Sequence, residues 1–245
     1  MENKIINIKK IPKLVGIILL FFAATLLQLI PIELFNLDIN KITGTEQLYL
    51  TIFSDSILLL ILFIIYKKTI VNDFKKIKGN IYNLLDSGIK YWLVGLIVMV
   101  ISNILIITFI PQAQANNEET VQALIQSSGF LSIIAVGILA PIIEELTFRK
   151  AFREVFINKT LYVLASGLIF GGLHVILSLN SLWDLFLIIP YSSLGIAFGY
   201  IYQKTDNIYA SIIMHMFHNI SSTVLALVGG AMILLWWVVV KNQKN

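Results

Sequence analysis

The chain has 245 residues, 58% of them hydrophobic and 13% charged, with a mean hydropathy of +0.85 and a formal net charge of +4. A soluble domain of this length carries roughly 25% charged residues, so the composition excludes an ordinary water-soluble fold and indicates a polytopic membrane protein. The absence of Cys excludes disulfides and thiolate metal sites, and the positive charge gathers in loops, where it reports membrane orientation rather than nucleic-acid binding.

The N-terminal "MENKIINIKK" resembles the basic region of a signal peptide. The apolar run that follows, from Leu14 to Phe35, has no clear small-residue cleavage site, so a retained span is expected over 14–34. The second span is expected at 47–66 and contains Asp55 in "TIFSDSILLL". The connection 67–90 mixes basic and apolar residues at roughly helical spacing. It reads either as a helix lying on the cytoplasmic leaflet or as a solvated basic loop. Further spans are expected at 91–110, 129–148, 161–179 and 185–203, each long enough to cross the hydrocarbon core or nearly so. The apolar stretch 208–240 reads as two spans, 208–226 and 228–240, turning at Gly229–Gly230. Gly167/Gly171 and Gly195/Gly199 are small-residue pairs that let helices approach closely. The expected fold class is all-α, one transmembrane domain over residues 1–245 with about eight spans. Basic connections alternate with basic-poor ones along the chain, which places both termini in the cytoplasm of a multi-pass cell-membrane protein. The Ile/Lys/Asn-rich composition resembles that of a bacterium with a low-GC genome.

Within these spans a few polar residues stand out. The stretch "PIIEELTFRKAF" begins at Pro141 and places Glu144 and Glu145 side by side. An ionised acid at a helix centre costs roughly 2.5–3.5 kcal/mol on the insertion scale, so two adjacent acids need partners, water or a function. Neighbouring helical residues point about 100° apart. Arg149 lies four residues beyond Glu145 and pairs with it on one face. Glu144 has no such local partner, and a carboxylate in that position is a usable proton acceptor. The plainer reading is two structural acids paired with Lys or Arg of other helices. All three histidines, His174, His215 and His218, also fall in expected spans, and His215 shares a helix face with Asn219. Two chemistries fit this set. In one, a carboxylate and an imidazole activate water for attack on a peptide carbonyl, and another imidazole and an amide stabilise the oxyanion. In the other, Glu and His hold a divalent metal; the helical H-E-x-x-H signature is absent, which makes this the weaker reading.

E-E-x-x-x-R (Glu144, Glu145, Arg149), F-x-x-x-H (Phe170, His174) and H-x-x-x-N (His215, Asn219) occur in that order. They resemble the three motifs of the CAAX protease and bacteriocin-processing (CPBP, or Abi) family of intramembrane endopeptidases. The resemblance covers residues 130–222 and leaves the first three spans without a signature. It implies a glutamate-dependent protease with a conical catalytic cavity in an eight-helix bundle. Carried over motif by motif, Glu144 is the general base acting on water with His174, and His215 and Asn219 form the oxyanion site. Glu145 and Arg149 hold the first motif's geometry, and Phe170 shapes the cavity wall. His218 lies outside the motifs and receives no role. No cofactor or metal is expected. The partners implied are membrane lipid and a small membrane-associated peptide or protein tail, cleaved in peptide maturation or bacteriocin immunity, with no nucleic acid.

By the expected boundaries Glu144 lies near the cytoplasmic face, while His174 is roughly 20 Å from it at 1.5 Å per residue. A shared mechanism requires the fifth span to start later, or the fourth to continue past Arg149, and both are expected. Asp55 is read as a structural contact; lining the cavity or pairing with a distant cation are its alternatives. Two other function classes remain, a non-catalytic membrane partner and a transporter with a proton or ion relay. The scarcity of polar residues in the first and third spans, apart from Asn103, argues against the relay.

Overall fold

The computed structural model describes residues 5–242, with side-chain contacts through residue 229. The chain is all-α. Its helices are α1 (Ile8–Leu34), α2 (Gly44–Ile77), α3 (Ile81–Phe109), α4 (Asn116–Ser128), α5, α6 (Lys159–Ile176), α7 (Leu182–Thr205) and α8 (Ile208–Asn242). α5 is a continuous rod of four pieces: a π-helical segment Ile133–Leu139, an α segment Ala140–Glu144, a second π-helical segment Glu145–Lys150 and an α segment Ala151–Val155. Six helices among the described residues are long and apolar enough to cross a membrane, and α5 runs beside them as a seventh rod.

Local chemistry sets the ends of these rods. Thr43 and Glu46 form a capping box that starts α2, satisfying backbone N–H groups that a helix start leaves without partners. Asn158 caps α6 through the Leu161 N–H, and Ser181 with Asp184 caps α7. Asp73 of α2 does the same for α8: its carboxylate accepts from the Ile208 N–H at 3.1 Å, and its carbonyl accepts from Asn207 Nδ2 at 2.9 Å. A buried acid at a helix N-terminus also meets the positive end of the helix dipole.

Two expectations need correction, and one connection holds an additional helix. The connection 67–90 is neither a leaflet-lying helix nor a loop. α2 continues to Ile77 and α3 begins at Ile81, so both helices outrun their apolar spans and meet in a short turn. Gly79 has φ +81° in that turn, a conformation that favours glycine. The basic-poor connection after the third span contains a helix of its own, α4. The turn expected at Gly229–Gly230 does not form: α8 continues through both glycines, and the separate eighth span is absent from the described residues. A helix tolerates glycine at a cost of about 1 kcal/mol, which does not by itself force a turn.

The backbone pairing of Ile6 with Phe156 and of the Asn7 N–H with the Val155 carbonyl puts the start of α1 beside the end of α5. The same end of the bundle carries the α2–α3 turn and the α7–α8 junction, where Lys76 lies 3.2 Å from Asp73. This is the basic face. The core concentrates behind it, with Leu62, Tyr66, Phe148, Phe152, Tyr162 and Tyr202 all buried. Gly167 and Gly195 allow α6 and α7 to approach closely: a methyl at Gly167 would stand 2.6 Å from the Ile196 nitrogen, and one at Gly195 2.8 Å from the Gly167 carbonyl.

Candidate active site

The first motif sits where α5 departs from α geometry. Glu144 ends its short α segment and Glu145 opens the second π segment. Single π turns inside helices recur at functional sites. The first π segment ends just before Pro141, which lacks the N–H needed to close an ordinary helical turn. Its Val136 carbonyl accepts from Asn219 Nδ2 of α8 at 2.9 Å. Asn219 therefore fastens α8 to the distorted rod, one helical turn from His215.

Glu145 and Arg149 are fully buried, with Arg149 Nε 3.4 Å from Glu145 Oε1. The guanidinium also lies 4.5 Å from the Phe170 ring centroid and 3.4 Å from Ser166 Oγ. Ser166 in turn donates to the Phe148 carbonyl at 2.8 Å. Arg149 is thus held between α5 and α6 by charge, ring and hydroxyl together. Breaking such a buried pair costs about 3–5 kcal/mol, because the surviving charge has no solvent.

His215 bridges the two acids. Its Nδ1 lies 3.0 Å from Glu145 Oε1 and its Nε2 3.6 Å from Glu144 Oε2. A carboxylate paired with arginine only accepts, so the Nδ1–H donates to Glu145, and Nε2 is the atom presented to Glu144. The ring stacks on Phe198 at 4.4 Å and meets the edge of Phe170 at 5.8 Å. The result is a continuous polar chain, Arg149–Glu145–His215–Glu144. The imidazole in polar contact with Glu144 is His215, a contact that the motif spacing does not indicate, and His174 lines the same cavity as Glu144. The side chain at 145 also has two partners, the arginine and this histidine, where the motif spacing alone indicated one.

His174 stands on the cavity wall. Its Nδ1 is 2.9 Å from the Phe170 carbonyl. A carbonyl only accepts, so Nδ1 carries the proton and Nε2 is left as an acceptor. Phe170 at 4.4 Å and Tyr191, stacked at 5.3 Å, fix the ring. His218 accepts from Trp92 Nε1 through Nδ1 at 3.4 Å. The depth problem resolves on one side only. α5 does continue past Arg149, to Val155, whereas α6 starts early, at Lys159. Glu144 consequently lies well inside the bundle.

A cavity of about 530 Å³ joins these groups, lined by Glu144, Phe170, His174, His215, His218 and Asn219. Glu145 and Arg149 are absent from its lining and support it from behind. Asp55 lines the same cavity, with Asn103 and Tyr191. Of the readings open to Asp55, the structure gives the cavity wall. Spacing arguments missed Phe198, Ser166 and Tyr191, which contact the motif residues His215, Arg149 and His174, and Trp92, which contacts His218. The sequence carries no signal that separates them from ordinary core residues.

Residues 126–221 match the family model described as type II CAAX prenyl endopeptidase Rce1-like. A Bacillus subtilis (strain 168) protein named "Putative membrane peptidase YdiL" is 30% identical over 109 residues, covering 43% of this chain and 41% of that one. A Lactococcus lactis subsp. lactis (strain IL1403) protein, "UPF0177 protein YbdI", is 30% identical over 173 residues, covering 67% of this chain and 87% of that one. The match thus spans under half the length of the first relative and most of the second. No solved structure matches the chain. With the three motifs gathered on one cavity and these relatives in hand, the chain belongs to the CAAX protease and bacteriocin-processing family of membrane peptidases.

Proposed function

We propose that the chain is a glutamate-dependent intramembrane endopeptidase. The observation that carries the reading is the Arg149–Glu145–His215–Glu144 chain, which ends at a carboxylate lining a cavity of about 530 Å³. Arg149 and His215 consume the hydrogen-bonding capacity of Glu145 Oε1 and fix that side chain. Glu144 keeps an oxygen for a water in the cavity. As a general base it takes a proton from that water while the water oxygen bonds to the scissile carbonyl carbon. His174, whose Nε2 is an acceptor, helps to orient the water. The second N–H of Asn219 is a donor for the oxyanion, with His215 beside it as the other group of the oxyanion site. Collapse breaks the C–N bond, and the proton held by Glu144 passes to the departing amine, which restores the carboxylate.

The substrate class in this reading is a small membrane-associated peptide or protein tail, and the setting is peptide maturation or bacteriocin immunity. The cavity volume suits a short extended segment rather than a folded domain. The test is reconstitution of the purified protein with lipid-anchored peptides and mass spectrometry of the products. Internal cleavage by the wild type, absent with Glu144→Gln, supports the proposal. Cleavage by both, or by neither across a broad peptide set, contradicts it.

A further inference from the structure

The cavity is not placed evenly across the bundle. His215 of α8 and Phe198 of α7 line its deep end beside Glu144. Other lining residues lie on the side of the bundle away from the basic face: Asp55 in the first half of α2, Asn103 near the end of α3, Val136 near the start of α5, His174 near the end of α6 and Tyr191 near the start of α7. There the lining passes onto α4 through Asn117, Glu118 and Gln122, and Glu118 is exposed. Toward the basic face the space ends on Glu144. Beyond it come buried Arg149, Phe152, Tyr162 and Tyr66, a filled layer with no opening in the cavity lining. The cavity is a cup with its floor at Glu144 and its mouth at α4.

The two faces differ sharply in charge. Lys9, Lys10 and Lys13, Lys75, Lys76 and Lys78, Lys150, Arg153 and Lys159, and Lys204 all fall at the closed end. At the mouth end, the connections between the helices hold Glu33, Asp38, Glu46, Glu118, Glu119 and Asp184 against Lys41, and Lys241 stands in the last turn of α8. Lys41 lies 3.3 Å from Asp38. Lys and Arg in short loops mark the cytoplasmic side.

We infer that the cavity is loaded from the non-cytoplasmic side. Its substrate is then a peptide segment presented at the outer leaflet: an exported peptide or the outward-facing tail of a membrane protein. A tail approaching Glu144 directly from the basic face meets the packed layer of Phe152, Tyr162 and Tyr66. This inference rests on reading the cavity as the peptidase site, and adds its direction and the compartment of its substrate.

The chain has no cysteine, so single cysteines report position without background. Glu118→Cys and Gln122→Cys mark the mouth, and Lys78→Cys marks the closed face. A membrane-impermeant maleimide is applied to intact cells and, in parallel, to permeabilised cells. The expected result is labelling of both mouth positions in intact cells, and labelling of Lys78→Cys only after permeabilisation. Should Glu118→Cys fail to accumulate through loss of its contact with Gln122, Asn117→Cys replaces it. Labelling of Lys78→Cys in intact cells, or mouth positions that react only after permeabilisation, overturns the inference. The readout does not depend on turnover. A protein that labels as expected but cleaves nothing contradicts the peptidase reading and leaves the loading direction standing, and the reverse pairing separates the two in the opposite sense.

Discussion

The two halves of the bundle solve the same problem in opposite ways. Behind the basic face, Leu62, Tyr66, Phe148, Phe152, Tyr162 and Tyr202 form a buried layer, and the buried charge of Arg149 is matched by Glu145 at 3.4 Å. Toward α4, an equally apolar sequence leaves a cavity lined by Glu144, Asp55 and three histidines. The boundary between the halves runs between two consecutive residues. Glu145 belongs to the packed half and Glu144 to the open one. An acid inside a membrane protein costs several kcal/mol unless it is paired or solvated, and the two neighbours meet that cost by different means. In the proposed reaction, pairing makes Glu145 the support and access to the cavity makes Glu144 the reagent.

Substitutions on either side of the boundary should separate stability from activity. The largest stability loss is expected for Arg149→Leu, which leaves Glu145 buried with one partner fewer. Thermal unfolding in detergent should reveal a cost of about 3–5 kcal/mol, and activity should fall with the folded fraction. A wild-type melting temperature for this variant would show that the packed half does not depend on the pair. On the open side, His174→Ala should leave the melting temperature within a degree or two and lower cleavage by about 100-fold or more, the usual contribution of a proton-transfer partner. His215 touches both acids, so His215→Ala should do both kinds of damage. Cleavage falls roughly 100-fold or more, and the lost hydrogen bond to buried Glu145 costs about 1–3 kcal/mol. A His215→Ala protein with full thermal stability would contradict the bridging geometry. Asp73 lies far from the cavity, at the cap of α8. Asp73→Ala should cost about 0.5–2 kcal/mol of stability, with the cleavage rate of the folded protein unchanged. The smallest expected effect is that of stringent chelation, which should leave cleavage unaltered. Loss of activity restored by one divalent ion would turn the cavity to the metal-dependent reading.

The sequence and the structure agree where hydrophobic length and charge do the specifying. Apolar runs locate most of the helices, because a helix is the form in which a single segment satisfies its own backbone in lipid. The i,i+4 spacing of Glu145 and Arg149 makes their ion pair legible before any coordinates. What escaped is set by the meeting of distant segments. The approach of His215 to Glu144 depends on where α8 crosses α5, and that crossing is fixed by Asn219 on the Val136 carbonyl. No local pattern encodes it. The two π segments are equally hidden, since Pro141 marks a disturbance without stating which turns widen. The connection 67–90 misled because its lysines resemble a loop, although Lys, Ile and Tyr there carry the helices onward beyond the apolar core. Gly229–Gly230 misled in the opposite direction, because two glycines permit a turn without requiring one.

The central claim is the division of labour between adjacent carboxylates, and one paired measurement reaches it directly. Glu144→Gln and Glu145→Gln are purified in the same detergent, and each is assayed for cleavage of a lipid-anchored peptide and for thermal unfolding. The account predicts that Glu144→Gln keeps the wild-type melting temperature and loses about 100- to 10,000-fold in rate, the range of a missing general base. It predicts that Glu145→Gln is destabilised by about 3–5 kcal/mol as Arg149 loses its counter-charge. A Glu144→Gln protein that cleaves at the wild-type rate, beside a Glu145→Gln protein that is folded, stable and inactive, would reverse the two assignments and contradict the account.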